Sequence, residues 1–250
     1  EIEYFTIPTQ GNAVDFGDMT RNSFLGASGS SRTRAVMMGG DAGPGGRVNN
    51  IDYVTMSSTG NASDFGDIPT NNGHAAGVSN QTRAMICGGG NSSGTLNVIE
   101  YITIATTGNA KDFGDSTSGS CQNTGLCSNN NRAVNFIGTN PSTNGIEFMT
   151  ISTMGVVQDF GDQVVGVRHV DAFGSPTRGM ITGGWTSGSA NTDTIQFITF
   201  ATTGNAIDFG NINATGGVRG HGGFSSPTRG VCGGGIRGPA LSNAIDFVTI

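Results

Sequence analysis

The stretch NAKDFGD, residues 109–115, is written five times along this chain, as NAVDFGD, NASDFGD, NAKDFGD, VVQDFGD and NAIDFGN. Its first aspartates, Asp15, Asp64, Asp112, Asp159 and Asp208, lie 49, 48, 47 and 49 residues apart. Each copy is followed by an arginine: Arg34, Arg83, Arg132, Arg178 and Arg229. After the arginine comes a glycine run, such as Gly88-Gly89-Gly90, and then a segment of alternating character: IEYFTI (2–7), IDYVTM (51–56), IEYITI (99–104), IEFMTI (146–151), IQFITF (195–200) and IDFVTI (245–250). Alternation with β-branched and aromatic residues marks a strand, with Ile99, Tyr101 and Thr103 on one face and Glu100, Ile102 and Ile104 on the other.

No window carries helical periodicity, so the chain is expected to be all-β. Each unit reads as four short strands: one like GHAAGVS (73–79), one like TRAMICGG (82–89), the IEYITI type, and one ending at DFGD. A four-stranded repeat of this length suits one blade of a β-propeller, whose sheets bury their faces against their neighbours. An open β-solenoid is the rival, and its coils usually repeat at shorter length. The reading is therefore a single repeat domain over 1–250, a propeller of five four-stranded blades plus one extra strand at 245–250. Because the sequence begins inside a repeat, a portion of a longer chain is also an expectation.

Composition excludes several classes of function. The 250 residues include 43 glycines and a single lysine, Lys111, and the formal net charge is −6 with no basic cluster. Nucleic acid needs a basic footprint, so it is not an expected partner. No apolar run is long enough to span a bilayer as a helix, and membrane insertion is not expected. Cys121 and Cys127 are close enough in sequence for a hairpin disulfide, whereas Cys87 and Cys232, each before glycines, read as buried thiols.

Repetition bears on the markers. A ligand site needs one special place, but a fold needs the same bond in every unit. The arginines are thus expected to anchor loops through charge-assisted bonds to DFGD aspartates or to strand-end carbonyls. Asp18, Asp67, Asp115 and Asp162 read as structural markers, since aspartate side chains satisfy turn amides. Each motif phenylalanine, such as Phe113, is expected to be buried between units. Calcium needs more oxygen ligands than an Asp112/Asp115 pair offers. His74, His169 and His221 precede their arginines by 9, 9 and 8 residues, and packing or hydrogen bonding outweighs metal binding there. The chain lacks G-x-S-x-G, H-E-x-x-H and C-x-x-C. No catalytic residues, metal site or cofactor are expected, and the protein is read as not an enzyme.

Variation between units singles out the loops that follow the glycine runs. They are rich in Asn, Ser, Thr and Gly and hold the one tryptophan, Trp185. Asn and Ser groups with an exposed ring suit a sugar, which offers hydroxyls and one apolar face, and Trp185, Asn191, Asp193, Asn140 and Asn91 are the candidate ligand-binding residues; the alternative is a tryptophan that packs over its own blade.

Arginine, apolar strand and glycine doublet at this period resemble the kelch family of β-propellers, without that family's late tryptophan. The phrases TTGNAxDFGD, SSxTRGVxxGGG and NxIxYxTI are also similar to virion or tail-fibre repeat proteins of marine tailed phages, particularly those of cyanobacteria. That resemblance implies a binding or adhesion module on a virion or extracellular surface, recognising host cell-surface polysaccharide through blade loops. Its implied alternative is a structural decoration module contacting other virion proteins, and a homo-oligomer is compatible with either.

Overall fold

The computed structural model describes residues 1–4, 12–138, 143–213 and 216–250. The described residues are all-β apart from one 3-10 turn at Gly43–Gly45. Unit 1 comprises Ala27–Ser30, Arg34–Asp41, Arg47–Thr55 and Ser63–Asp67; unit 2 Ala76–Ser79, Arg83–Cys87, Val98–Thr103 and Lys111–Asp115. Unit 3 comprises Gly125–Ser128, Arg132–Phe136, Gly145–Thr150 and Gln158–Asp162; unit 4 Ala172–Gly174, Arg178–Thr182, Thr194–Thr199 and Ile207–Asn211. Each of these is one antiparallel sheet in chain order. Unit 5 has three strands, Gly222–Ser225, Arg229–Gly233 and Ile245–Thr249. A separate pair, Ile2–Tyr4 with Val14–Gly17, has the character of a third and a fourth strand. Of the expected strand at 2–7, residues 5–7 lie outside the described residues.

The expected closed, kelch-like five-bladed propeller is not what forms. The described strands make nine separate antiparallel sheets, and none closes into a barrel or a propeller. Successive units touch in series through their first strands. The strand at Ile245–Thr249, counted as surplus from sequence, is the third strand of unit 5, and the surplus lies in the separate N-terminal pair. That pair satisfies Val14–Gly17 within itself, and among the described residues no fourth strand stands beside Ile245–Thr249. The kelch resemblance rests on arginine and glycine markers that here serve contacts between consecutive units.

Alternation within each strand sends one apolar set to the preceding unit and the other to the following one. Val36, Met38 and Phe65 of unit 1 meet Ala84, Ile86 and Ile102 of unit 2. In turn Met85, Cys87 and Phe113 meet Ala133, Met149 and Ile151 of unit 3. Val134, Phe136 and Phe160 meet Ile181, Ile198 and Phe200 of unit 4, and Met180 and Ile195 cluster with Cys232 of unit 5. Every sheet interior to the series is thus a core layer with two buried faces.

Close backbone approach explains part of the glycine content. A Cβ on Gly77 would stand 2.2 Å from the Ser28 carbonyl oxygen of unit 1, so the first strands pack nearly backbone to backbone. Gly66, with φ +142°, faces the Gly108 turn of the next unit, where a Cβ would stand 2.6 Å from the backbone. Only glycine fits both the angle and the space.

Candidate functional site

The repeat arginines lie across the junctions. Arg34 donates to the Ile104 carbonyl at 2.9 Å, Arg83 to that of Ile151 at 2.7 Å and Arg132 to that of Phe200 at 2.6 Å, in each case at the end of the next unit's third strand. Each guanidinium also lies over a ring of its own unit: Arg34 over Tyr53, Arg83 over Tyr101, Arg132 over Phe148, Arg178 over Phe197 and Arg229 over Phe247, at 4.2–4.8 Å. The ring is held edge-on by the motif phenylalanine, as in Tyr53–Phe65, Tyr101–Phe113, Phe148–Phe160 and Phe197–Phe209. Planar delocalised charge suits this double contact in a way that a lysine ammonium does not.

The DFGD turns form a second clasp. Asp64, Asp112 and Asp208 accept from the amide two residues on, at Gly66, Gly114 and Gly210. The amides of Asp18, Asp67 and Asp162 donate to Asn61, Asn109 and Asn205 of the next unit, each at 3.0 Å. Asp115 faces a turn in which Val156 stands at the asparagine position.

Trp185 is half-buried, and the Arg219 guanidinium lies 3.5 Å above its ring. Arg219 also donates to Asn191 Oδ1 at 3.0 Å, and Asn191 Nδ2 donates to the Ile236 carbonyl. Asp193 accepts the Ile212 amide through its backbone carbonyl, Asn91 caps its own hairpin through the Ser93 amide, and Asn140 lies outside the described residues. The expected glycan site on propeller loops is therefore corrected. No propeller carries these loops, one face of the tryptophan stacks on a cation, and Asn91 sits in another unit's hairpin.

A backbone ladder runs through all five units. His74 N–H donates to the Leu25 carbonyl, Asn123 to His74, His169 to Asn123 and Gly220 to His169, at 2.8–3.2 Å. All five rungs are left-handed, with φ of 57°, 62°, 58°, 55° and 60°. His74 and His169 are rungs, whereas His221 stands one residue past its rung. A cavity of about 290 Å³ follows the ladder, lined by the three histidines and Asp171. Burial, then the nearby Arg168, lowers the His169 pKa. Burial, then Arg237, pushes His221 down to about 4, and its Nε2 meets Thr182 Oγ1 at 2.7 Å.

Elsewhere, among the described residues, one group of three metal-ligating side chains comes together: Cys87, Cys121 and Glu147, all buried, with ligand atoms within 4.8 Å of one another. The four cysteines are free, and Cys121 faces Cys87 at 3.9 Å between sulfurs rather than pairing with Cys127. Asn135 Nδ2 points between these groups, 2.7 Å from Glu147 Oε1 and 3.2 Å from Cys121 Sγ. Glu147 Oε2 accepts from both the amide and the hydroxyl of Thr117. The bond with Cys121, aided by burial, pushes the Cys87 thiol well up, and the same bond pulls Cys121 down. Sequence reading missed this cluster. Its available signal was Asn135, a polar residue where Ile86 and Ile181 stand in neighbouring units.

Finally, the ends of the series leave surface open. A groove of about 740 Å³ runs along the first strands and the outward face of unit 1, with Met37, Tyr53, Val54 and Met56 along one wall. Serines join its floor, since Ser79 Oγ donates to the Ser30 carbonyl and Ser128 Oγ to that of Ser79. At the far end Ile245 is 74% and Phe247 62% exposed, where the equivalent Ile99 and Tyr101 are 0% and 7%. Compared with known proteins, the chain matches no family model, and no curated protein matches it.

Proposed function

We propose that this chain is a non-catalytic structural module that works by self-association, joining copies head to tail through the open sheet of unit 5. The observation that carries this reading is the edge at Ile245–Thr249. It is the one third-type strand among the described residues that lacks a fourth-type strand. Phe247 is correspondingly the one such ring without an edge-on partner there. An exposed strand edge with apolar side chains is a template for strand addition.

The complementary strand is Val14–Gly17 of a second copy. In its own chain this strand pairs, among the described residues, with Ile2–Tyr4, of which Glu3 and Tyr4 are exposed. Exchange would set Ile245 opposite Gly17, Asp246 opposite Asp15 and Phe247 opposite Val14. That register copies Ile99 with Gly114, Glu100 with Asp112 and Tyr101 with Lys111. Phe16, now edge-on to Tyr4, would then meet Phe247. Such a contact is heterologous, so copies add in one direction.

Light scattering on size-separated protein tests this. Wild type should show a mass above the 25.4 kDa of one chain that rises with concentration. Phe247→Asp, with unchanged circular dichroism, should return it to one chain. A wild-type monomer at every concentration would overturn the proposal.

A further inference from the structure

We propose that Cys87, Cys121, Glu147 and the side-chain carbonyl of Asn135 form a tetrahedral site for one thiophilic divalent cation of the zinc class, clasping unit 2 to unit 3. Cys87 ends the second strand of unit 2, and Cys121 lies in the link between the units. Asn135 and Glu147 face each other on adjacent strands of unit 3. The site therefore spans a junction, and it is the one group of three such ligands among the described residues: at the next junction the positions of Cys87, Asn135 and Glu147 are held by Phe136, Ile181 and Gln196.

Geometry is the first argument. Zinc–sulfur bonds of about 2.3 Å and zinc–oxygen bonds of about 2.0–2.2 Å at tetrahedral angles put ligands about 3.8 Å (S to S), 3.5 Å (S to O) and 3.3 Å (O to O) apart. The two sulfurs are 3.9 Å apart, and the amide terminus of Asn135 lies 3.7 Å from Cys87 Sγ, 3.2 Å from Cys121 Sγ and 2.7 Å from Glu147 Oε1. The three edges to sulfur are within a few tenths of an ångström of these values, and the amide–Glu147 edge is about 0.6 Å short and would lengthen around the ion.

The second argument is the state of the amide. Asn135 is 0% exposed, and its Oδ1 is buried without a hydrogen-bond partner. A buried acceptor left unmade carries a desolvation penalty. At present Nδ2 is the donor among three acceptors. Rotating the amide by half a turn places Oδ1 there instead, which is unfavourable against two sulfurs and a carboxylate unless a cation stands between them. The cation replaces the one donor, and its two thiol ligands give up their protons to solvent on binding. Thr117 holds the Glu147 carboxylate by its second oxygen and leaves Oε1 free for the ion.

Cobalt(II) is the probe, added during refolding of the reduced full chain because the site is buried. Expected are one equivalent per chain, thiolate-to-cobalt charge-transfer absorption, the intense visible bands of tetrahedral cobalt, and their loss when zinc is added. Cys87→Ser and Cys121→Ser should abolish the charge-transfer band, whereas Cys127→Ser and Cys232→Ser should keep it. Because a buried serine in place of cysteine destabilises the core, Thr117→Val provides a gentler readout, with metal affinity expected to fall about 10–100-fold. Folded wild type without a saturable charge-transfer band overturns the site, as does a band that survives both Cys87→Ser and Cys121→Ser.

Discussion

Glu100 illustrates how one residue's environment is decided by its neighbour in another unit. The buried acid of each third strand has a donor waiting in units 1 and 3: Thr20 serves Asp52, and Thr117 serves Glu147, each through an amide and a hydroxyl. In unit 2 the corresponding residue is Pro69, which has no N–H to donate. Burial, and then the charge of Asp112, raise Glu100 to about 7. A carboxylic acid raised on folding favours the native state only while protonated. Its destabilising effect is absent below pH ~4, grows as pH rises through the shifted value, and is complete above it. Glu100→Gln should leave stability unchanged at pH 4 and raise it by about 1–3 kcal/mol at pH 8, measured by urea unfolding. Pro69→Thr should bring the Glu100 pKa down, observable by carboxyl NMR titration. The acid and the proline were both legible in the sequence. Their encounter was not, because it depends on which face of the sheet meets the preceding turn.

At the scale of elements, the four strands of each unit could be read directly. Alternation in IEYITI and the fixed offset from DFGD to arginine to glycine run placed the strands of unit 2 within about three residues, the first strand starting at Ala76 rather than Gly73. The partners of the markers were hidden: Arg34 reaches a carbonyl 70 residues further on, and nothing in a period says which unit it will touch. Nor does sequence proximity fix sulfur pairing, for Cys121 lies six residues from Cys127 yet faces Cys87. The turn clasp gives a gain-of-stability prediction. Val156 is 67% exposed at the place where Asn61, Asn109 and Asn205 accept a motif amide. Val156→Asn should supply the missing acceptor for the Asp115 amide and add about 0.5–1.5 kcal/mol, seen as a higher urea midpoint with unchanged slope.

For the whole molecule, a series of units stabilised by nearest-neighbour contacts is expected to open from its ends. In the single-chain Phe247→Asp variant, amide exchange should therefore be slowest in Arg83–Cys87 and Arg132–Phe136, which lie in sheets buried on both faces, and fastest in Ile2–Tyr4 and Ile245–Thr249. Equal protection across all units would refute this gradient. The same repeat can be arranged as a closed ring or as a row of separate sheets, which is why the period alone led to a propeller. What decides is the pairing of Ile2–Tyr4 with Val14–Gly17, a local choice among strands of nearly identical sequence.

The left-handed ladder from Leu25 to Gly220 also gives the molecule an electrical direction. In all four of its bonds the later unit donates and the earlier one accepts. Their amide dipoles consequently point one way and add instead of alternating as they do between antiparallel strands. The Leu25 end carries the partial positive charge and the Gly220 end the partial negative, beside which Arg219 is well placed. Two ends built from the same repeat are thereby made unlike, and an anion should prefer one and a cation the other.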